Sequence, residues 1–134
     1  MMKRYQAVFW LWWLVTACVA AENKVVFTDP LKVIVVKYSD PVFRIVLQSN
    51  PTIGYSWALK NYDPKLILPL NRRFYPAPSK RLIGAPGYER WTFKVKPGGF
   101  MVPQLTSVTL IYFRPWDEQG AQVSNFKVVT VNAD

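Results

Sequence analysis

The sequence contains no histidine and a single cysteine, Cys18. Without histidine there is no Ser-His-Asp or Cys-His arrangement to activate a nucleophile, and no imidazole to hold a metal. One cysteine cannot close a disulfide within the chain, so stability has to come from packing. Acidic residues are also scarce, 8 against 17 lysines and arginines. Asp117 and Glu118 stand side by side, so in a strand or turn they point apart. The sequence places no second carboxylate pair opposite them, as glycoside hydrolysis would require. These shortages argue against an enzyme, and neither cofactor nor metal is expected. There is no apolar run of the ~20 residues that a membrane-spanning helix needs. There is no internal repeat and no low-complexity tail.

What is present points to one folded domain. The chain has 134 residues, of which 51% are hydrophobic and 16% aromatic. That is enough for a real core, too short for two comfortable domains, and too apolar for disorder. The formal charge is +9. Setting aside Lys3 and Arg4, which lie in a segment expected to be removed, 15 basic and 8 acidic residues leave +7. A basic surface suits nucleic acid, anionic lipid or an acidic protein. Here the cations are spread along strands and interleave with core positions. The largest local groups are Arg72-Arg73 and Lys80-Arg81. No nucleic acid is expected. A solvated basic face and an acidic protein partner both remain open.

Met1 to Arg4 form a short basic region, and Ala7 to Ala17 form an apolar run rich in tryptophan. At about 11 residues the run matches the core of an export signal better than a spanning helix. It ends Val15-Thr16-Ala17-Cys18, which resembles a bacterial lipobox. That resemblance implies a signal over residues 1–18 and lipidation of Cys18, and hence membrane attachment of a periplasmic or cell-envelope lipoprotein. The alternative is ordinary cleavage after Ala20 or Ala21, giving a secreted soluble protein. Either way the domain, residues 24–134, works outside the cytoplasm.

From Asn23 the chain reads as strands. Lys24 to Thr28 is short, and Asp29-Pro30 breaks it. Leu31 to Tyr38 is β-branched, with Leu31, Val33 and Val35 on one face. Ser39-Asp40-Pro41 is a turn. Val42 to Gln48 alternates, with Phe43, Ile45 and Leu47 inward. Tyr55 to Lys60 follows. Asn61 to Pro78 is the least regular stretch, and its four prolines exclude a helix. Arg90 to Lys96 sets Trp91, Phe93 and Val95 against a basic outer face. After the turn Pro97-Gly98-Gly99 comes Leu105 to Phe113, with Val108, Leu110 and Tyr112 on one side. A turn at Gln119-Gly120 precedes Val123 to Val131, with Phe126 and Val128 inward. Seven or eight short strands with no helix predict an all-β, antiparallel sandwich, immunoglobulin-like as the leading case. Barrel closure is the alternative, since periodicity cannot separate the two.

Three stretches between strands stand out. In Asn50-Pro51-Thr52-Ile53-Gly54-Tyr55, Asn50 can start a turn, Pro51 fixes φ and Gly54 can take positive φ. Tyr55 and Trp57 then fall on one face of the exiting strand. Gly84-Ala85-Pro86-Gly87 reads as a hairpin loop. Arg114-Pro115-Trp116 ends a strand, and Pro115 projects Trp116 outward or lets it fold onto the core edge. Gly84 lies 34 residues beyond Asn50, and Arg114 lies 30 beyond Gly84. Strands running up and down could therefore bring all three to one end.

These motifs, in this order, resemble the chagasin-type inhibitors of papain-like cysteine peptidases. That family carries Asn-Pro-Thr-Thr-Gly-Tyr/Phe, Gly-X-Gly-Gly and Arg-Pro-Trp. Phe74-Tyr75-Pro76, Ser79-Lys80, Leu82 and Tyr112 are similar to its pattern too, so the likeness spans about residues 24–134. The resemblance implies a reversible, non-covalent inhibitor, monomeric, whose three loops wedge into the peptidase cleft. By match, Thr52 sits nearest the peptidase nucleophile, Gly84 to Gly87 lie along one wall, and Trp116 packs on the other. Ile53 replaces a threonine and Pro86 a glycine, removing one hydroxyl and one N–H. Both changes are expected to shift which peptidases are bound. The other functional reading is a cell-envelope module that binds a protein or glycan through the same loops without inhibiting anything.

Overall fold

Alternation at period two decides which side of each strand is buried. In Val42–Ser49 the residues Phe43, Ile45, Leu47 and Ser49 are buried and their neighbours are not. The computed structural model describes residues 26–77 and 85–132, which form eight strands. They are β1 Val26–Phe27, β2 Ile34–Lys37, β3 Val42–Ser49, β4 Ser56–Tyr62, β5 Ile67–Tyr75, β6 Gly87–Val95, β7 Gln104–Arg114 and β8 Asp117–Val131. One four-stranded sheet has the order β1-β3-β6-β5 and the other β2-β8-β7-β4. Each sheet keeps two edges, so this is a sandwich and not a closed barrel. The seven or eight strands and the immunoglobulin-like architecture are as expected.

Two pairings depart from the antiparallel expectation. β1 lies parallel to β3, and β2 parallel to β8. The cause is the connection: after β1 the chain crosses to the other sheet instead of turning back as a hairpin. β1 and β2 therefore become edge strands beside neighbours that run their way. β1 opposes Val26 to Arg44 and Phe27 to Ile45. The chain thus enters from the side away from Asn50. β8 starts at Asp117 and pairs Thr130 with Gln104, the first residue of β7. Both ends of the described domain therefore lie away from the Asn50 end.

The core fills the space between the sheets. Phe43 and Phe93 oppose each other across β3 and β6 and stack at 5.3 Å between ring centroids. Ile34 and Val36 meet Val128 and Phe126 of the other strands in a cluster with Val108 and Leu110. All core residues come from the stretch between Ile34 and Val128, with Phe27 packed against them. Burying each such side chain is worth about 1.5–3 kcal/mol.

Three local expectations are corrected. The Leu31, Val33, Val35 face is the solvent face; β2 begins at Ile34 and buries Ile34 and Val36. The stretch read as irregular, residues 61–78, contains the last residues of β4 and the whole of β5. Pro69 is tolerated because β5 is an edge strand and its register shifts between Pro69 and Asn71. Gln119-Gly120 is no turn. Both residues lie in β8, and the chain reverses at Pro115-Trp116.

Candidate functional site

Strand register brings the three stretches to one end. Ser49, which precedes the first loop, opposes Gly87, which ends the second. Ser56, which follows the first loop, opposes Phe113. Arg114 opposes Asp117 across the two-residue turn Pro115-Trp116. Asn50 to Tyr55, Ala85 to Gly87 and Arg114 to Trp116 are therefore neighbours. Gly84 lies outside the described residues, as does Cys18.

The first loop is one turn of 3-10 helix, Pro51–Ile53, entered by Asn50 and ended by Gly54 at φ 84°. Among the described residues no other has positive φ. The Gly54 N–H donates to the Pro51 carbonyl at 3.0 Å, closing the turn. Thr52 and Ile53 stand exposed at its tip. The Thr52 hydroxyl bonds the Asn50 side-chain oxygen at 2.5 Å. Below the tip, the Asn50 N–H donates to the Tyr112 hydroxyl at 2.9 Å. Tyr112 is stacked between Tyr55 and Trp57, each 4.9 Å away between centroids. The Trp57 indole N–H donates to the Gln48 carbonyl at 2.9 Å. The loop stands on an aromatic column built from Tyr55, just before β4, Trp57 of β4 and Tyr112 of β7.

The third loop leans on the first. A Cβ on Gly54 would lie 2.7 Å from the Trp116 Cζ2 and closer still to Cη2. The bare glycine thus makes the seat for the far edge of the indole, while Trp116 stays 72% exposed. Trp116 neither folds into the core nor stands free. Arg114 lies over the Tyr55 ring at 4.6 Å and donates to Asp117 at 2.8 Å. That bond, and then the Gly120 N–H, holds the Asp117 carboxyl below the usual aspartate range. The same bond raises the Arg114 pKa.

In the second loop, Pro86 is exposed and Gly87 is buried as the first residue of β6. A side chain at Gly87 would meet the Tyr75 carbonyl and the Phe74 ring. Glycine is what allows β5 to approach there. The sequence reading put Gly87 in the loop, along one cleft wall; the structure makes it the buried first residue of β6, at a close-packing position.

Sequence reasoning missed the group underneath. Glu89 is buried, at 1% exposure. Its carboxylate accepts from the Ser49 hydroxyl at 2.7 Å, the Trp57 backbone N–H at 3.2 Å and the Arg72 Nε at 2.7 Å. Ser49 and Trp57 flank the first loop on its two sides. One carboxylate therefore ties both stems, and the two sheets, together. The signal was in the phase: Glu89 shares the inward parity of Trp91, Phe93 and Val95. Arg72 also lies 5.5 Å from the Trp91 ring centroid, and Trp91 is only partly buried.

The sandwich thus gathers at one end a first loop closed at Gly54, a third loop whose Trp116 rests on it, and the described part of the second loop, Ala85 to Gly87. The model of the chagasin family of peptidase inhibitors, I42, matches residues 39–130. The chain belongs to that family, and it is an inhibitor type rather than an enzyme. Chagasin of Trypanosoma cruzi is 31% identical over 89 residues, 63% of this chain and 76% of that protein. The fold matches that of the cysteine protease inhibitor EhICP2 of Entamoeba histolytica, with a TM-score of 0.58 at 19% identity. That match covers 81% of this chain and 94% of the other. It also matches PbICP-C, solved in complex with falcipain-2, with a TM-score of 0.56 at 18% identity. There the coverage is 81% of this chain and 89% of the other.

Proposed function

We propose that this domain is a reversible, non-covalent inhibitor of papain-like cysteine peptidases, and that it acts by laying its three loops across the active-site cleft. The observation that carries the reading is the shared end: Thr52 and Ile53 at an exposed tip, Pro86 on one side, and Trp116 braced on Gly54 at the other. A convex tip held by Pro51, Gly54 and the Tyr55-Tyr112-Trp57 column loses little entropy on docking. Thr52 meets the region of the peptidase nucleophile, and Trp116 supplies buried area on a cleft wall. Occlusion demands no covalent step of the inhibitor.

Titration of papain and a cathepsin L-type peptidase with residues 22–134 tests this. Stoichiometric, reversible loss of activity is expected. Trp116→Ala is expected to weaken it by ~30-fold or more, about 2 kcal/mol for an interface anchor. Thr52→Ala weakens it less, since it removes one small polar contact. A folded domain that leaves several such peptidases active at micromolar concentration would overturn the reading in favour of a non-inhibitory binding module.

We also place the mature domain outside the cytoplasm, held to a membrane through a lipidated Cys18. The support is the lipobox-like Val15-Thr16-Ala17-Cys18 behind a basic, apolar leader. The mass of the mature protein from a bacterial host should show acyl chains on an N-terminal Cys18. A mass corresponding to cleavage after Ala20 or Ala21 would make it a soluble secreted inhibitor.

A further inference from the structure

The strands of the β1-β3-β6-β5 sheet contain five basic residues and one acid, Glu89. Glu89 is turned inward and paired with Arg72. Period two and the strand register put the other four cations, Arg44, Arg73, Arg90 and Lys94, on the outer face. None of the four strands offers that face a carboxylate. Arg73 and Arg90 stand directly opposite each other in register. Like charges in that relation destabilise a sheet. Both guanidinium groups lie against one ring, Tyr75, at 5.7 and 5.1 Å from its centroid. Tyr75 in turn opposes Tyr88, the residue after Gly87. The cationic face thus begins where the second loop joins the sheet and continues down its outer side.

A charge arrangement that costs the isolated domain stability fits a partner that supplies the missing negative charge. We propose that this outer face is an electrostatic docking face for an acidic surface beside the cleft of the target peptidase. It would draw the inhibitor in with the second loop leading. The inference rests on the inhibitory function proposed above. One feature favours a protein partner over a linear polyanion: the face is continuous with the loop end, through Tyr75 and Tyr88 beside Gly87. A low-dielectric surface bearing one sign of charge raises association rates 10-fold or more, and salt removes the effect.

The test is the association and dissociation kinetics of residues 22–134 with a cathepsin L-type peptidase of net negative charge, at about 0.02 M and about 0.5 M salt. The comparison is the double variant Arg73→Gln/Arg90→Gln. The expected result is association ~3–10-fold slower than wild type at low salt, equal at high salt, with dissociation unchanged. Its unfolding midpoint should equal or exceed that of wild type, because the like-charge pair is gone. Association within twofold of wild type at low salt, with inhibition intact, overturns the docking face and leaves the inhibitor reading standing. Unchanged association together with loss of binding to vesicles rich in anionic lipid would also overturn it, assigning the face to a membrane surface. Absence of inhibition by the wild-type domain would sink the function itself and this proposal with it.

Discussion

Replacing Glu89 with glutamine is expected to lower the unfolding midpoint of the domain by roughly 10 °C, corresponding to about 2–3 kcal/mol. The carboxylate accepts three hydrogen bonds, from Ser49, Trp57 and Arg72, and is itself almost wholly buried. Glutamine keeps the shape and one acceptor oxygen. Its amide nitrogen must face a donor that it cannot satisfy, and the charge-assisted bond to Arg72 is lost. Ser49 and Trp57 share Oε1, which the glutamine oxygen can replace, so the amide nitrogen faces Arg72. That arginine is 46% exposed and can return to water, and the cost is chiefly the lost charge-assisted bond and the buried amide N–H left without an acceptor. Glu89→Ala should cost more, about 3–5 kcal/mol, because it empties the site as well. Thermal or denaturant unfolding measures both. A Glu89→Gln midpoint within 2–3 °C of wild type, about 0.5 kcal/mol, would show that the charge-assisted bond to Arg72 contributes little. Inhibition should weaken alongside stability even where Glu89→Ala remains folded, since Ser49 and Trp57 set the spacing of the first loop.

Gly54→Ala is expected to produce the largest loss of inhibition of any single methyl group added to this protein, on the order of 100-fold. Two effects act together. At φ 84° an L-residue is strained by about 1–2 kcal/mol. The added Cβ also falls where the Trp116 indole lies, so the ring must leave its seat. The first loop is distorted and the third loses its brace, and both changes reach the same surface. Stability should fall by only the strain, so the variant stays folded. Gly98→Ala is the control, because a Cβ there meets no atom within 4 Å and lies far from the loops. Inhibition constants and unfolding curves for the pair decide the matter. Gly54→Ala with unaltered inhibition would mean that Trp116 is not held by the first loop when the domain is bound.

The sandwich was legible because period two is a local signal. Phe43, Ile45 and Leu47, or Val108, Leu110 and Tyr112, announce their faces without knowledge of any partner strand. What stayed hidden depended on position within a sheet. Pro69 reads as a strand breaker until β5 is known to lie at an edge with a bulge. The pair Gln119-Gly120 reads as a turn, yet the reversal sits four residues earlier at Pro115-Trp116, where two residues suffice. Parallel pairing of β1 and β2 leaves no trace in either segment, since it follows from a crossover between sheets. Of the candidate site, the three motifs could be read from the sequence, and their spacing permitted a common end without requiring it. Their mutual support could not be read there. The seat of Trp116 on Gly54 joins residues 62 positions apart, and the bond from Ser49 to Glu89 spans 40.

The direction of β1 has a further consequence. It runs with β3 toward the loop end, and β8 runs away from it, so both ends of the domain emerge from the pole remote from Thr52 and Trp116. A second domain or a carrier protein joined at either end of the described domain therefore starts from the pole opposite the loops. The module can be hung from a surface or strung in series with every copy's loops unobstructed. The second docking of a tandem pair then proceeds at the effective concentration set by the linker and not by the bulk solution.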